Sequence, residues 1–300
     1  MFQKFRKKVR FFCLVLSDQI RRVRLPIKVH STEETLEYIK QRHVSISRFG
    51  DGEFNLAMGR SLKFQNNDLE LSQALQNLLK HPQLVGDQCV IAIPAVIHSM
   101  SGFTLKSRVF WIKYFAQFRK DTLKLLDRDY TYFDAQITRI YINRSNKKKA
   151  QKYFEMWKDI WRDKNVLLVE GEFSRFGVSN DLLSSAKTVR RVLCPARDAF
   201  HFRNDIVRTV QKQPNVDLVL LVLGPTATIL APELSKLGFW ALDCGNMDME
   251  YEWLRQEAHA QVAVENKFTI EADNGEINSA VDDPLYTRQI VSAVGIHGRY

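Results

Sequence analysis

Two carboxylates separated by one glycine, with an arginine three residues ahead of the first, make Arg48-Phe-Gly-Asp-Gly-Glu53 the stretch of this chain best equipped for chemistry. Hard oxygen donors so closely spaced suit a divalent cation, and Arg48 adds a planar fork of donors that fits phosphate or carboxylate. Gly50 and Gly52 are expected to take positive φ, so that Asp51 and Glu53 turn their oxygens toward one point. The competing reading is a solvated acidic turn in which Arg48 pairs with its own neighbours.

Three other segments carry related chemistry. Glu170-Gly-Glu-Phe-Ser-Arg-Phe-Gly-Val-Ser-Asn-Asp181 repeats, at 174–177, the Ser-Arg-Phe-Gly of 47–50, which suggests one shared pocket with Arg175 beside Arg48. The alternative is a loop in which Ser179, Asn180 or Asp181 caps the next segment. Gly224-Pro-Thr-Ala-Thr228 opens onto a helix, where free backbone amides with the hydroxyls of Thr226 and Thr228 would bind phosphate, unless the threonines merely cap. In Asp243 to Trp253, Asp248 and Glu250 repeat the Asp-x-Glu spacing. They are candidates for a metal ligand, for the base that takes an acceptor proton, or for partners of the helix dipole.

These segments need strands to hold them. Short β-rich runs are expected at Val44–Arg48, Cys89–Ile93, Ile137–Ile142, Val166–Val169, Val189–Cys194, Leu218–Leu223 and Phe239–Leu242. Helices are expected near 32–42, 67–80, 106–128, 147–162, 198–213, 227–237 and 249–262. Val166-Leu-Leu-Val169 and Leu218 to Leu223 are apolar on every residue, so they need cover on both faces. The expected fold is therefore α/β: a Rossmann-like, largely parallel sheet with helices on both faces. Ligands then sit beyond the carboxyl ends of the strands, where all four segments fall. No Gly-x-x-x-x-Gly-Lys-Ser/Thr occurs and Gly50-Asp-Gly-Glu-Phe-Asn55 is not G-x-G-x-x-G, which disfavours a P-loop ATPase and a standard NAD enzyme.

The chain has 300 residues and a net charge of +10. Residues 1–28 hold nine Lys or Arg against Asp18 alone, a local +8, so the body has no global attraction to a polyanion and nucleic acid is not an expected partner. Phe2, Phe5, Val9, Phe12, Leu16, Ile20 and Val23 fall on one helical stripe. A basic amphipathic arm over 1–28 is expected, with residues 1–24 contacting an anionic membrane or docking on the protein's own core or a second subunit. Cysteines 13, 89, 194 and 244 lie far apart without metal-site spacing and read as reduced. The run Phe11 to Leu16 is too short to span a bilayer and no cleavage site follows. The expected location is cytoplasmic, with peripheral attachment to the inner face of the membrane through the arm. One domain is expected over 29–272, and for the tail at 273–300 a lid, a dimer arm and a disordered end all remain open, as does homo-oligomerisation.

Taken in order, Arg48 to Glu53, Val169 to Gly177, Gly224 to Thr228 and Asp243 to Trp253 resemble the bacterial GT-D glycosyltransferases, formerly a domain of unknown function, from about Val44 to about Lys267. The resemblance implies a Rossmann-like domain and transfer of a sugar, glucose being the donor sugar expected, from a UDP-sugar to a bacterial surface glycan or glycoprotein glycan. It further implies a metal held through an Asp-x-Glu motif. The residues then suggest Mn²⁺ or Mg²⁺ on Asp51 and Glu53, the diphosphate bound by Arg48, Gly50, Gly52, Arg175, Gly224, Thr226 and Thr228, and Asp248 or Glu250 as base. Relatives commonly carry His where this chain has Asn246. A metal-dependent phosphohydrolase acting on nucleotide sugars and a non-catalytic sugar-nucleotide-binding adaptor are the rival readings.

Overall fold

The computed structural model describes residues 2–24, 26–63, 65–275 and 282–296. Among them lie strands β1 Ser45–Arg48, β2 Cys89–Ile93, β3 Phe133–Asp134, β4 Asn165–Gly171, β5 Thr188–Cys194, β6 Leu218–Val222, β7 Ala241–Asp243 and β8 Ile290–Ala293. They form one sheet in the order β3-β2-β1-β7-β6-β4-β5-β8, and every pairing is parallel. The helices are α1 Phe2–Arg24, α2 Thr32–Arg42, α3 Asp51–Ala57, α4 Leu69–Lys80, α5 Leu105–Leu125, α6 Lys148–Ile160, α7 Arg203–Gln211, α8 Pro225–Lys236, α9 Met247–Arg255 and α10 Pro284–Gln289.

Alternation along the strands accounts for the two layers of cover. Val166, Leu168, Leu218 and Leu220 pack with Leu36, Phe154, Trp157 and Tyr251 from α2, α6 and α9. The intervening Leu167, Val169, Val219 and Leu221 pack with Ile206, Ala227 and Leu230 from α7 and α8. A strand buried on both faces can spare no polar position, which is why these runs read as continuous apolar sequence.

Some elements differ from expectation, the helix expected over 249–262 ending at Arg255. Ile137–Ile142 is not a strand: Asp134 Oδ1 accepts the amides of Gln136 at 2.8 Å and Ala95 at 3.3 Å, which ends β3 and turns the chain. Ile137 and Ile140 are then buried as core side chains in the connection, with Trp157 Nε1 donating to the Ile137 carbonyl at 3.0 Å. The C-terminal segment is part of the sheet, since β8 pairs with β5; residues 276–281 and 297–300 of the expected tail lie outside the described residues.

The arm is helical, and the side that carries Asp18 and Arg22 meets the body. Asp18 and Arg119 of α5 form an ion pair in which both side chains are buried, and Arg22 Nη2 donates to the His98 carbonyl at 2.6 Å. The side chains of Phe2 and Phe5 lie outside the described residues.

A second buried pair closes the sheet's far edge. Arg191 on β5 pairs with Glu170 on β4, donates to the Phe176 carbonyl at 3.0 Å, and reaches Gln289 at the end of α10 at 2.7 Å. Removing one member leaves the other charge buried and unpaired. Arg191→Met is expected to lower the unfolding free energy by about 3–5 kcal/mol in urea titrations; a loss of well under ~1 kcal/mol would show that the pair is not held as described.

Candidate active site

The carboxyl ends of β1, β4, β5, β6 and β7 open into a cavity of about 660 Å³. This is where an open parallel sheet offers a crevice, and the size suits a nucleotide or cofactor. Arg48, Gly50, Asp51, Gly52, Glu53, Gly171, Ser174, Gly224, Asp243 and Asn246 from the strand ends line it. The first copy of Ser-Arg-Phe-Gly and the loop after β4 therefore share a pocket, as the repeat suggests.

Asp51 and Glu53 lie in the first turn of α3, not in an open loop. Neither Gly50 nor Gly52 has positive φ, which corrects the expectation for both. Gly50 is the extended cap residue, and its lack of a side chain leaves room for Glu53: an added Cβ would sit 3.1 Å from Glu53 Oε2. That carboxylate folds back to accept the Gly50 amide at 2.7 Å. Both carboxylates line the cavity, Asp51 from the first helical position and Glu53 from the third.

Arg48 is a bracket rather than a free fork. Its Nε donates to the Asp243 carbonyl at 2.6 Å, Nη2 to Asp243 Oδ1 at 2.8 Å, and Nη1 to the Ala135 carbonyl at 3.0 Å and to Thr138 Oγ1. The cation it helps position is Arg139, immediately after Thr138, whose guanidinium forms a two-pronged pair with Glu271. Glu271 also accepts from Gln261 Nε2 at 2.9 Å and from Asn246 Nδ2. Phe268, Thr269, Ile270 and Glu271 thus form a strap along the cavity, and Lys106 and Phe110 of α5 line it as well.

Arg139, Glu271, Gln261 and Lys106 escaped the sequence reading. Arg139 was hidden inside the expected strand Ile137–Ile142; once β3 is recognised to end at Asp134, the rule that ligands meet residues after strand ends points to it.

Other candidates lie elsewhere. Arg175, with φ 50°, donates to the Asn266 carbonyl in the segment after α9 at 2.8 Å, and it does not line the cavity. Thr226 and Thr228 are fully buried beneath the pocket floor; Thr228 Oγ1 donates to the Arg48 carbonyl at 3.0 Å. Pro225 has no amide proton, and the amides of Thr226 and Ala227 are taken by Leu223 and Gly224 carbonyls at 3.2 and 3.0 Å. The expected phosphate cradle therefore reduces to Gly224 itself. Asp248 is held by the Gly177 amide at 3.0 Å and Lys267 Nζ at 2.6 Å. Glu250 accepts the amides of Tyr141 and Ile142 at 2.8 and 2.9 Å. Both carboxylates are buried outside the cavity, fastening loops to α9, and the base role expected of them has no route to a bound acceptor.

Among the described residues, no group of three or more His, Cys, Asp or Glu is gathered to hold a metal unaided. The donor set still fits a hard cation completed by substrate, since Mg²⁺ and Mn²⁺ sites commonly combine one or two carboxylates with phosphate oxygens. Burial raises the Asp51 carboxyl above its ordinary range, against the opposing field of Arg139. Burial likewise pushes Glu53 from 4.5 up to about 7, the Gly50 amide opposing and Asp243 and Asp51 adding repulsion. A cation would relieve both.

The sign of the pH effect follows. In the fold Glu53 keeps its proton up to about pH 7, whereas the unfolded chain releases it near 4.5. Between those values the folded state binds more protons, so this contribution to stability is complete below 4.5 and is lost as pH rises through 7. Glu53→Gln, which retains the cap, is expected to flatten that fall in urea titrations across the same window. An identical slope in both proteins would contradict the buried carboxyl.

The comparisons agree with this fold. A family model described as the glycosyltransferase GT-D fold matches residues 46–272. The chain is 32% identical over 281 residues to "Glycosyltransferase GlyD" of Streptococcus pneumoniae serotype 4, covering 94% of this chain and 34% of that protein. It is 33% identical over 266 residues to "Probable glycosyl transferase Gly" of Streptococcus gordonii, covering 89% and 39%. It therefore spans about a third of the length of these relatives. A solved structure described as "The highly conserved domain of unknown function 1792 has a distinct glycosyltransferase fold" superposes with a TM-score of 0.84 at 34% identity, over 94% of this chain and 99% of that one. Another, "A New Glycosyltransferase (DUF1792) from Streptococcus sanguinis", gives 0.83 at 33% identity over 89% and 99%. Matched from β1 through the strap along the pocket, this chain belongs to the GT-D glycosyltransferase family.

Proposed function

We propose that the protein is a metal-dependent glycosyltransferase that moves a sugar, with glucose the first to test, from a UDP-sugar to a bacterial surface glycan or glycoprotein glycan. The observation that carries the reading is one cavity at the strand ends holding both the desolvated carboxylates Asp51 and Glu53 and the cations Arg139 and Lys106. Carboxylates and cations lining one cavity suit a ligand that is itself a polyanion bridged by a cation.

Asp51 and Glu53 would hold Mn²⁺ or Mg²⁺, which when bound supplies positive charge against the diphosphate that leaves as UDP. The Arg139 guanidinium would bring a fixed positive charge to the phosphates, its plane set by the two hydrogen bonds to Glu271. Because the fork is fixed by neighbours before the ligand arrives, its charge needs no reorganisation when negative charge develops. Apolar walls at Phe110, Trp111 and Phe268 keep water from competing for the sugar. The reading assigns Glu271 the holding of Arg139.

Two substitutions test this. Asp51→Asn is expected to reduce UDP release from UDP-glucose in the presence of a cell-surface glycan fraction by about 10² or more, while the unfolding midpoint is retained. A fully active Asp51→Asn enzyme would remove the proposal. Arg139→Ala is expected to weaken UDP binding by roughly 10- to 100-fold, the loss of charge-assisted hydrogen bonds; unchanged affinity would take Arg139 out of the donor site. UDP-sugar hydrolysis at one rate with and without glycan would favour the phosphohydrolase, and tight UDP binding without turnover the adaptor.

A further inference from the structure

One stripe of apolar side chains on α1 has no partner among the described residues. Val9, Phe12, Leu16, Ile20 and Val23 are exposed, from 45% at Ile20 to 81% at Val23. At about 100° of rotation per residue, these five fall within an arc of roughly 80° centred about 160° away from Asp18. Asp18 marks the opposite side, buried against Arg119 of α5, with Val15 and Arg22 beside it. The helix is thus fastened to the body by a buried ion pair and a charged hydrogen bond, and turns its hydrophobic stripe directly outward. Arg6 and Arg10, both exposed, flank one edge of the stripe at about 240° and 280° on the same wheel.

We propose that α1 is an interfacial docking helix that lies flat in the surface of an anionic membrane, with Val9, Phe12, Leu16, Ile20 and Val23 in the lipid and the catalytic body carried on its opposite face. Charge chooses this occupant over a second copy of the chain. Residues 1–28 hold nine Lys or Arg, and Asp18, the one acid among them, is already neutralised by Arg119. Two such helices placed stripe to stripe would bring like charges together with no acidic side chain on the helix to offset them. An anionic lipid surface supplies the missing negative charge and the apolar solvent at once. At 23 residues the helix is about 34 Å long, and no helix among the described residues is long and apolar enough to cross a membrane, so the helix lies on the surface and does not span it. The inference is independent of the reaction assigned to the pocket.

The test is co-sedimentation of the full chain with vesicles of phosphatidylglycerol and phosphatidylcholine in equal parts, and with phosphatidylcholine alone, beside sedimentation velocity without lipid. The wild type is expected to bind the anionic vesicles at least about tenfold more tightly, with the preference shrinking at high salt. The double variant L16E/I20E, altered only at exposed positions, is expected to lose that binding roughly tenfold or more with an unchanged unfolding midpoint. R6E/R10E is expected to lose the anionic preference. Wild type that stays in solution with both vesicles, or L16E/I20E that binds as well as wild type, would overturn the proposal. So would a dimer dispersed by L16E/I20E in a protein that ignores lipid, which would assign the stripe to a second copy.

Discussion

The candidate site is organised around one guanidinium. Arg48, at the last position of β1, binds the carboxylate and carbonyl of Asp243 at the end of β7 and reaches across to the turn at Ala135 and Thr138. Three separate stretches of chain, distant in sequence, are thereby held at one height above the sheet. Both partners are nearly out of solvent, at 11% and 5% exposure, so loss of either would leave a charge without water or counter-ion. The walls that meet the cavity's charged end follow from this bracket: α3 begins at Asp51, just beyond Arg48 and the buried Phe49, and Arg139 leaves directly from Thr138.

The carboxylates are then placed by an ordinary helix start. Glu53 closes the first turn of α3 through the Gly50 amide, which keeps one of its oxygens occupied and leaves Asp51 at the first helical position. Burial raises both groups, and their mutual repulsion adds to it for Glu53. Holding two such groups together costs stability unless a cation joins them, a strain common at sites built for a ligand. Arg139 and Glu271 complete the electrostatics from the other side, 132 residues apart in the chain and joined by two hydrogen bonds.

Much of the fold was legible because the central strands have no freedom. Val166 to Val169 and Leu218 to Leu221 are apolar at every position, and only strands covered on both faces tolerate that. The Asp-x-Glu of the site was legible too, yet the same spacing at Asp248 and Glu250 serves a different end. There the helix start lies beneath the chain at 141–142 and 177–180, and its acids satisfy backbone amides. Local spacing cannot say which helix start opens to a cavity; packing decides it. Arg139 and Glu271 were hidden for a related reason, since an ion pair between distant loops leaves no periodic trace. The outward stripe of α1 was visible as a pattern, but only the burial of Asp18 against Arg119 reveals which side of the helix is spoken for.

The central claim, that the cavity binds a UDP-sugar through a cation held by Asp51 and Glu53, is tested most directly by calorimetric titration of the protein with UDP-glucose, UDP-galactose and UDP, each with Mn²⁺ and with EDTA. Saturable binding of a UDP-sugar with Mn²⁺ that EDTA abolishes is expected. Binding of equal strength with EDTA, or no binding of any of the three with Mn²⁺ present, would contradict it.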